Sequence, residues 1–112
     1  MRVWKMSDMV DKQHRFSLML ARLITYTASL PGYQVTGGDW YRDSRCDYGH
    51  PRSLHKLRLA VDLNIFIDGL WRKDVESYRP LGEYWELMGG AWGGRFEEGD
   101  ANHFSLEHDG MK

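Results

Sequence analysis

The sequence predicts an α+β fold: a small antiparallel sheet with helices packed on one face. Three observations carry this. One long amphipathic segment opens the chain, short alternating segments follow it, and a second brief helical pattern interrupts them before a last alternating run. Strands and helices in that mixed order, with hairpin signals between strands, do not read as a doubly wound parallel sheet.

Residues 7–30 form the first element. Phe16, Met19, Leu20, Leu23, Ile24, Thr27 and Leu30 recur at spacings of three and four, making one apolar helical face. Ser7 or Asp8 caps the start, and Pro31-Gly32 ends it. Tyr33–Thr36 reads as a short strand and Gly37-Gly38 as a turn. The polar stretch Asp39–Ser53 reads as a long surface loop, a length often associated with function in a small domain. Leu57–Ile67 is the clearest strand, with Leu59, Val61, Leu63 and Ile65 alternating with Ala60, Asp62, Asn64 and Phe66. Asp68-Gly69 then signals a hairpin turn into Leu70 and Trp71. Pro80 is expected to open a helix through Met88, stopped by Gly89-Gly90. Residues 89–101 read as Gly-rich loop, and His103–His108 as a final strand.

The chain has 112 residues, 13% of them aromatic, and a formal net charge of −1. That length suits a single domain over residues 1–112, and its ring content supplies a core that a disordered chain lacks. Near-neutral charge speaks against a nucleic-acid binder. No apolar run approaches the roughly 20 residues needed to span a bilayer, so no membrane insertion is expected. Residues 1–16 carry no signal-peptide pattern, which points to synthesis for the cytoplasm unless another factor releases the protein. Cys46 is the single cysteine, so no internal disulfide forms, and a metal is one alternative staple for a small domain.

Asp62 is the first residue that suggests chemistry. It stands mid-strand among apolar neighbours, where a charge is costly unless paired or metal-bound. His55 lies seven positions earlier, which on one regular strand puts the two side chains on opposite faces. The two converge only if the chain bends between them, so His55 is expected in the incoming loop. His103, at the start of the last strand, supplies a third group, and Asp100 stands three residues before it. Two His and one carboxylate are a common catalytic zinc set that leaves a position for water, and a further carboxylate can take that water's proton. His55, Asp62, His103 and Asp100 fill these four roles. A helical two-His metalloprotease motif, a Cys-x-x-Cys pair, a Walker loop and a Gly-x-Ser-x-Gly elbow are all absent from the sequence.

Ser53-Leu54-His55 through Asp62 resembles the Ser-x-His-x6-Asp motif of the zinc D-Ala-D-Ala carboxypeptidase and L-alanyl-D-glutamate endopeptidase family. Asp100-Ala101-Asn102-His103 resembles its second motif, and Trp92-Gly93-Gly94-Arg95-Phe96 is similar to its short phage-encoded, endolysin-like branch. The resemblance implies a hedgehog/D,D-peptidase-like fold, Zn2+ held by His55, Asp62 and His103, and Asp100 as catalytic base. It implies that Arg42 binds substrate carboxylate or the developing oxyanion, with Ser53 and Trp92 also on the substrate. The implied substrate is the peptide stem of peptidoglycan, cut at L-Ala-D-Glu or at D-Ala-D-Ala. The expected agent is a monomer made in the host cytoplasm, reaching the periplasmic wall after membrane permeabilisation. The sequence departs from the family in carrying Arg58 where many members have Gly, and Asp100 where many have Glu. Two competing readings are a non-catalytic, zinc-stabilised cell-wall-binding module built on the same ligands, and a Cys/His hydrolase using Cys46 with His50 or His55.

Overall fold

A computed structural model describes residues 6–39 and 54–112. The order is helix α1 (Met6–Ser29), strand β1 (Tyr33–Gly37), a 3₁₀ turn at Leu54–Leu57, strands β2 (Ala60–Ile67) and β3 (Leu70–Arg72), helix α2 (Val75–Leu87), strand β4 (Ala91–Trp92), a 3₁₀ turn at Gly93–Arg95, and strand β5 (His103–Ser105). The architecture is the α+β class expected, and all strand pairs are antiparallel.

Strand β2 is the spine. One edge pairs along its length with β1, from Tyr33 opposite Ile67 to Gly37 opposite Leu63. The other edge is shared: its first residues pair with β5 and its last with β3. Val61, Leu63 and Ile65 are fully buried on one face, packed with Leu23 of α1 and Trp85 of α2. Asp62 and Asn64, on the alternate face, are only partly buried. The period-2 pattern of β2 thus separates a core face from a polar one.

The β2–β3 hairpin closes through Asp68 and Gly69, both at positive φ (52° and 82°), the conformation a two-residue type I′ turn requires. Where β3 and β5 part, Tyr78 of α2 fills the gap. Its hydroxyl donates to Leu63 O (2.9 Å) and accepts from Ile65 N (3.1 Å), replacing a missing strand neighbour.

Three expectations are corrected. Helix α2 begins at Val75 rather than Pro80, because Asp74 caps it by accepting from Ser77 N at 2.9 Å. Pro80 is tolerated in the second turn, since it deprives only the carbonyl of exposed Glu76 of a helical donor. The 89–101 segment holds β4 and a 3₁₀ turn rather than loop alone. Strand β5 stops at Ser105; beyond it His108 bridges Met111 across Asp109-Gly110, again both at positive φ.

Candidate active site

The site assembles at the start of β2, on its polar face. The backbone of Asp62 is occupied on the β1 side: its N–H donates to Asp39 O (2.8 Å) and its C=O accepts from Gly38 N (2.7 Å). Toward β5, Asp62 lies directly opposite His103. With its backbone groups turned to the other edge, Asp62 forms a non-hydrogen-bonded pair with His103, the kind in which side chains approach most closely. His103 Nδ1 stands 3.7 Å from Asp62 Oδ1.

His55 arrives from the 3₁₀ turn that precedes β2. Arg58, between turn and strand, sits at φ 59°, in the left-handed region that favours glycine. This is the bend that the seven-residue spacing demanded. It folds the turn back, with Leu59 N donating to Leu54 O at 2.9 Å, and brings His55 Nε2 to 3.3 Å from Asp62 Oδ1. A glycine would adopt the φ of Arg58 without the steric cost that a Cβ incurs there.

Both imidazoles are buried, His55 to 3% and His103 to 7% exposure. Burial alone would raise the Asp62 pKa, but hydrogen bonding and charge attraction from His103 and His55 outweigh it and hold the carboxyl down, at about 2. Asp62 is therefore an anion between two imidazole nitrogens. One ligand atom from each of the three lies within 4.8 Å of the others. Ligands about 2.0–2.2 Å from a tetrahedral ion stand roughly 3.4 Å apart, close to the 3.3 and 3.7 Å seen here. Two imidazoles and one carboxylate form a donor set suited to a divalent ion. His55, Asp62 and His103 could together hold a metal.

Asp100 stands beside this group. Its Oδ2 is 4.0 Å from His103 Nδ1, and its side chain is 55% exposed. Its position depends on Gly93, whose carbonyl accepts from Asp100 N at 2.8 Å. A Cβ at Gly93 would fall 2.0 Å from Asp100 O and 2.8 Å from His103 Cβ, so only glycine fits under this loop. The sequence assigns no role to Tyr78, and it marks Gly93 only as part of the Trp92–Phe96 segment, not as the support of Asp100. The Gly93-Gly94 pair was the available signal for that support, but it reads equally as a turn.

Trp92 requires a correction. It is 1% exposed, and its indole N–H donates to Ala101 O at 2.7 Å. A Cβ at Gly82 would lie 2.0 Å from its ring, which α2 covers directly. Trp92 is a core residue and does not line the cleft. Arg42 and Ser53 lie outside the described residues, as do Trp40, Tyr41, Cys46, Tyr48 and His50.

A groove of about 280 Å3 opens beside Asp100, in the fork between β3 and β5, and Asn64, Trp71, Lys73 and Asn102 also line it. Asn64 follows Asp62 on the same face of β2, so groove and candidate metal ligands are continuous along one strand.

Comparison with known proteins accords with this geometry. A family model described as D-alanyl-D-alanine carboxypeptidase matches residues 47–106, a span containing His55, Asp62, Asp100 and His103. The fold is similar to the crystal structure of Serratia marcescens L-Ala D-Glu endopeptidase ChiX, with a TM-score of 0.63 and 18% identity over 82% of this chain and 77% of that one. No curated protein sequence matches the chain significantly.

Proposed function

This chain belongs to the D-alanyl-D-alanine carboxypeptidase family, and from that premise we propose that it is a zinc-dependent peptidoglycan peptidase, a single catalytic domain that hydrolyses a bond of the peptide stem. The observation that supports this most is the clustering of His55, Asp62 and His103 on the polar face of β2, with Asp100 adjacent.

His55 Nε2, Asp62 Oδ1 and His103 Nδ1 are the atoms proposed to hold zinc. A bound zinc ion supplies Lewis acidity that lowers the pKa of a water from about 15.7 toward 7. Asp100, exposed and next to His103, accepts the proton of the attacking water at a carboxylate oxygen and returns it to the leaving amine. Burial of the two imidazoles keeps both rings fixed during this transfer. Arg42 is assigned to the substrate carboxylate or the developing oxyanion, and Ser53 to the substrate. The two candidate bonds are L-Ala-D-Glu within the stem and the terminal D-Ala-D-Ala. A lytic role of the phage endolysin kind, acting on the wall once the membrane is breached, is the biological setting proposed. No helix among the described residues is long and apolar enough to cross a membrane.

The test is digestion of purified muropeptides followed by mass spectrometry, with and without chelator. Chelation stops cleavage and zinc restores it, and the product masses identify the bond. Asp100→Ala retains stoichiometric zinc but loses about 10²–10⁴ in rate. His103→Ala loses both zinc and activity. Full activity in the apo protein, or in Asp100→Ala, overturns the proposal.

A further inference from the structure

We propose that the groove between β3 and β5 is a carboxylate-reading subsite, in which Lys73 binds an acid group on the residue that departs as the leaving amine. This rests on the peptidase reading above and adds to it the side of the cleft that selects substrate.

Four observations point there. First, the groove has Asp100 on one wall and Trp71 and Lys73 on the other. A base that returns its proton to the leaving amine must lie beside the leaving residue, so the groove next to Asp100 receives that residue. Second, Lys73 holds its ammonium 4.2 Å from the centre of the Trp71 ring and forms no ion pair among the described residues. Its charged sequence neighbours are engaged with each other, Arg72 Nε lying 3.1 Å from Asp74 Oδ1. Third, Trp71, in the middle of β3, is 55% exposed and lines the groove together with Lys73. An aromatic shelf beneath a cation limits where the ammonium goes and favours a directed contact over a diffuse one. Fourth, Asn64 and Asn102 place two amides between the walls, each able to donate to and accept from a peptide backbone.

A cation with two amides and an aromatic shelf fits a short acidic peptide. Both candidate bonds satisfy this, since the departing residue has a free carboxylate in either case: the α-carboxylate of a γ-linked D-Glu, or the terminus of D-Ala. The predicted discrimination is against substrates in which that acid is amidated.

The experiment uses the full chain with zinc and two synthetic stem peptides, L-Ala-γ-D-Glu-diaminopimelate-D-Ala-D-Ala, which carries both candidate bonds, and the same peptide amidated at the D-Glu α-carboxylate and at the C-terminal D-Ala. Lys73→Met is expected to raise KM for the free acid about tenfold, as for one lost charge-assisted hydrogen bond, with kcat and the amidated peptide nearly unchanged. Lys73→Arg retains the discrimination. In parallel, the indole N–H resonance of Trp71, assigned with Trp71→Phe, is followed during peptide titration. It is expected to shift with the free acid and not in Lys73→Met. If wild type cleaves the peptides but Lys73→Met affects both equally or neither, the subsite is wrong and the peptidase reading stands. If the Trp71 resonance responds through Lys73 without any cleavage, the subsite stands and the peptidase reading fails. If wild type neither cleaves nor binds, both are overturned.

Discussion

Asp62 and His103 face each other across β2 and β5 as a non-hydrogen-bonded pair, with their side chains 3.7 Å apart. The pairing is enforced by backbone, because Gly38 and Asp39 occupy both main-chain groups of Asp62 on the opposite edge. Two distant sequence motifs become one site through a single sheet register. A slip of one residue would turn His103 to the other face and dissolve it.

The electrostatics of that pair set an acid limit on the metal-free protein. The Asp62 carboxyl is held below its ordinary 3.8, at about 2. A depressed carboxylate stabilises the folded state fully above its unfolded pKa, and that stabilisation is lost as pH falls through the folded value. Thermal melts in chelator are expected to show the wild-type Tm falling as pH drops from 3.8 toward 2. Asp62→Asn should flatten this part of the profile. An identical slope in the variant would contradict the assignment.

Arg58→Gly tests the bend that delivers His55. Arg58 sits at φ 59°, where a non-glycine residue costs roughly 1–2 kcal/mol. Glycine removes that strain but gains freedom in the unfolded chain, about 0.4–1 kcal/mol in the other direction. The expected result is a Tm equal to or slightly above wild type, with zinc binding and activity kept. A large loss would mean that the Arg58 side chain holds the turn.

Gly93→Ala should act on chemistry without touching a ligand. The added methyl would meet Asp100 O at 2.0 Å and His103 Cβ at 2.8 Å, so the loop must move. Overpacking of this kind costs about 1–3 kcal/mol. Activity is expected to fall more than stability, because Asp100 is displaced from His103. Gly99→Ala is the comparison: its φ of 72° is strained, but nothing lies within 4 Å of its Cβ. Equal rate losses in both would remove Gly93 from its positioning role.

Tyr78→Phe leaves Leu63 C=O and Ile65 N–H without the hydroxyl that joins them. Both are buried main-chain groups, and an unmet one costs about 1–3 kcal/mol. In a domain of this size that lowers Tm by several degrees for each kcal/mol, readable by calorimetry. A Tm within a degree of wild type would show that water replaces the hydroxyl.

Much of this protein was legible in one dimension. The 3.6-residue spacing of Phe16, Met19, Leu20 and Leu23 defined α1, the alternation around Asp62 defined β2, and Asp68-Gly69 defined a hairpin, because each is a local pattern with a local cause. The ligand types were also readable, since a carboxylate in a buried strand needs partners. Tertiary structure decided what local pattern cannot encode. Trp92 was open to either core or cleft until α2 came to lie on it at Gly82. The start of α2 depended on Asp74 prevailing over Pro80 as the entry signal. Asp62 meets His103 only through the β2–β5 register, and meets His55 only through a left-handed residue that nothing in the identity of Arg58 announces. Residue types determine which chemistry is possible; the distances between them come from strand pairing and packing over long separations, which no short window of sequence contains.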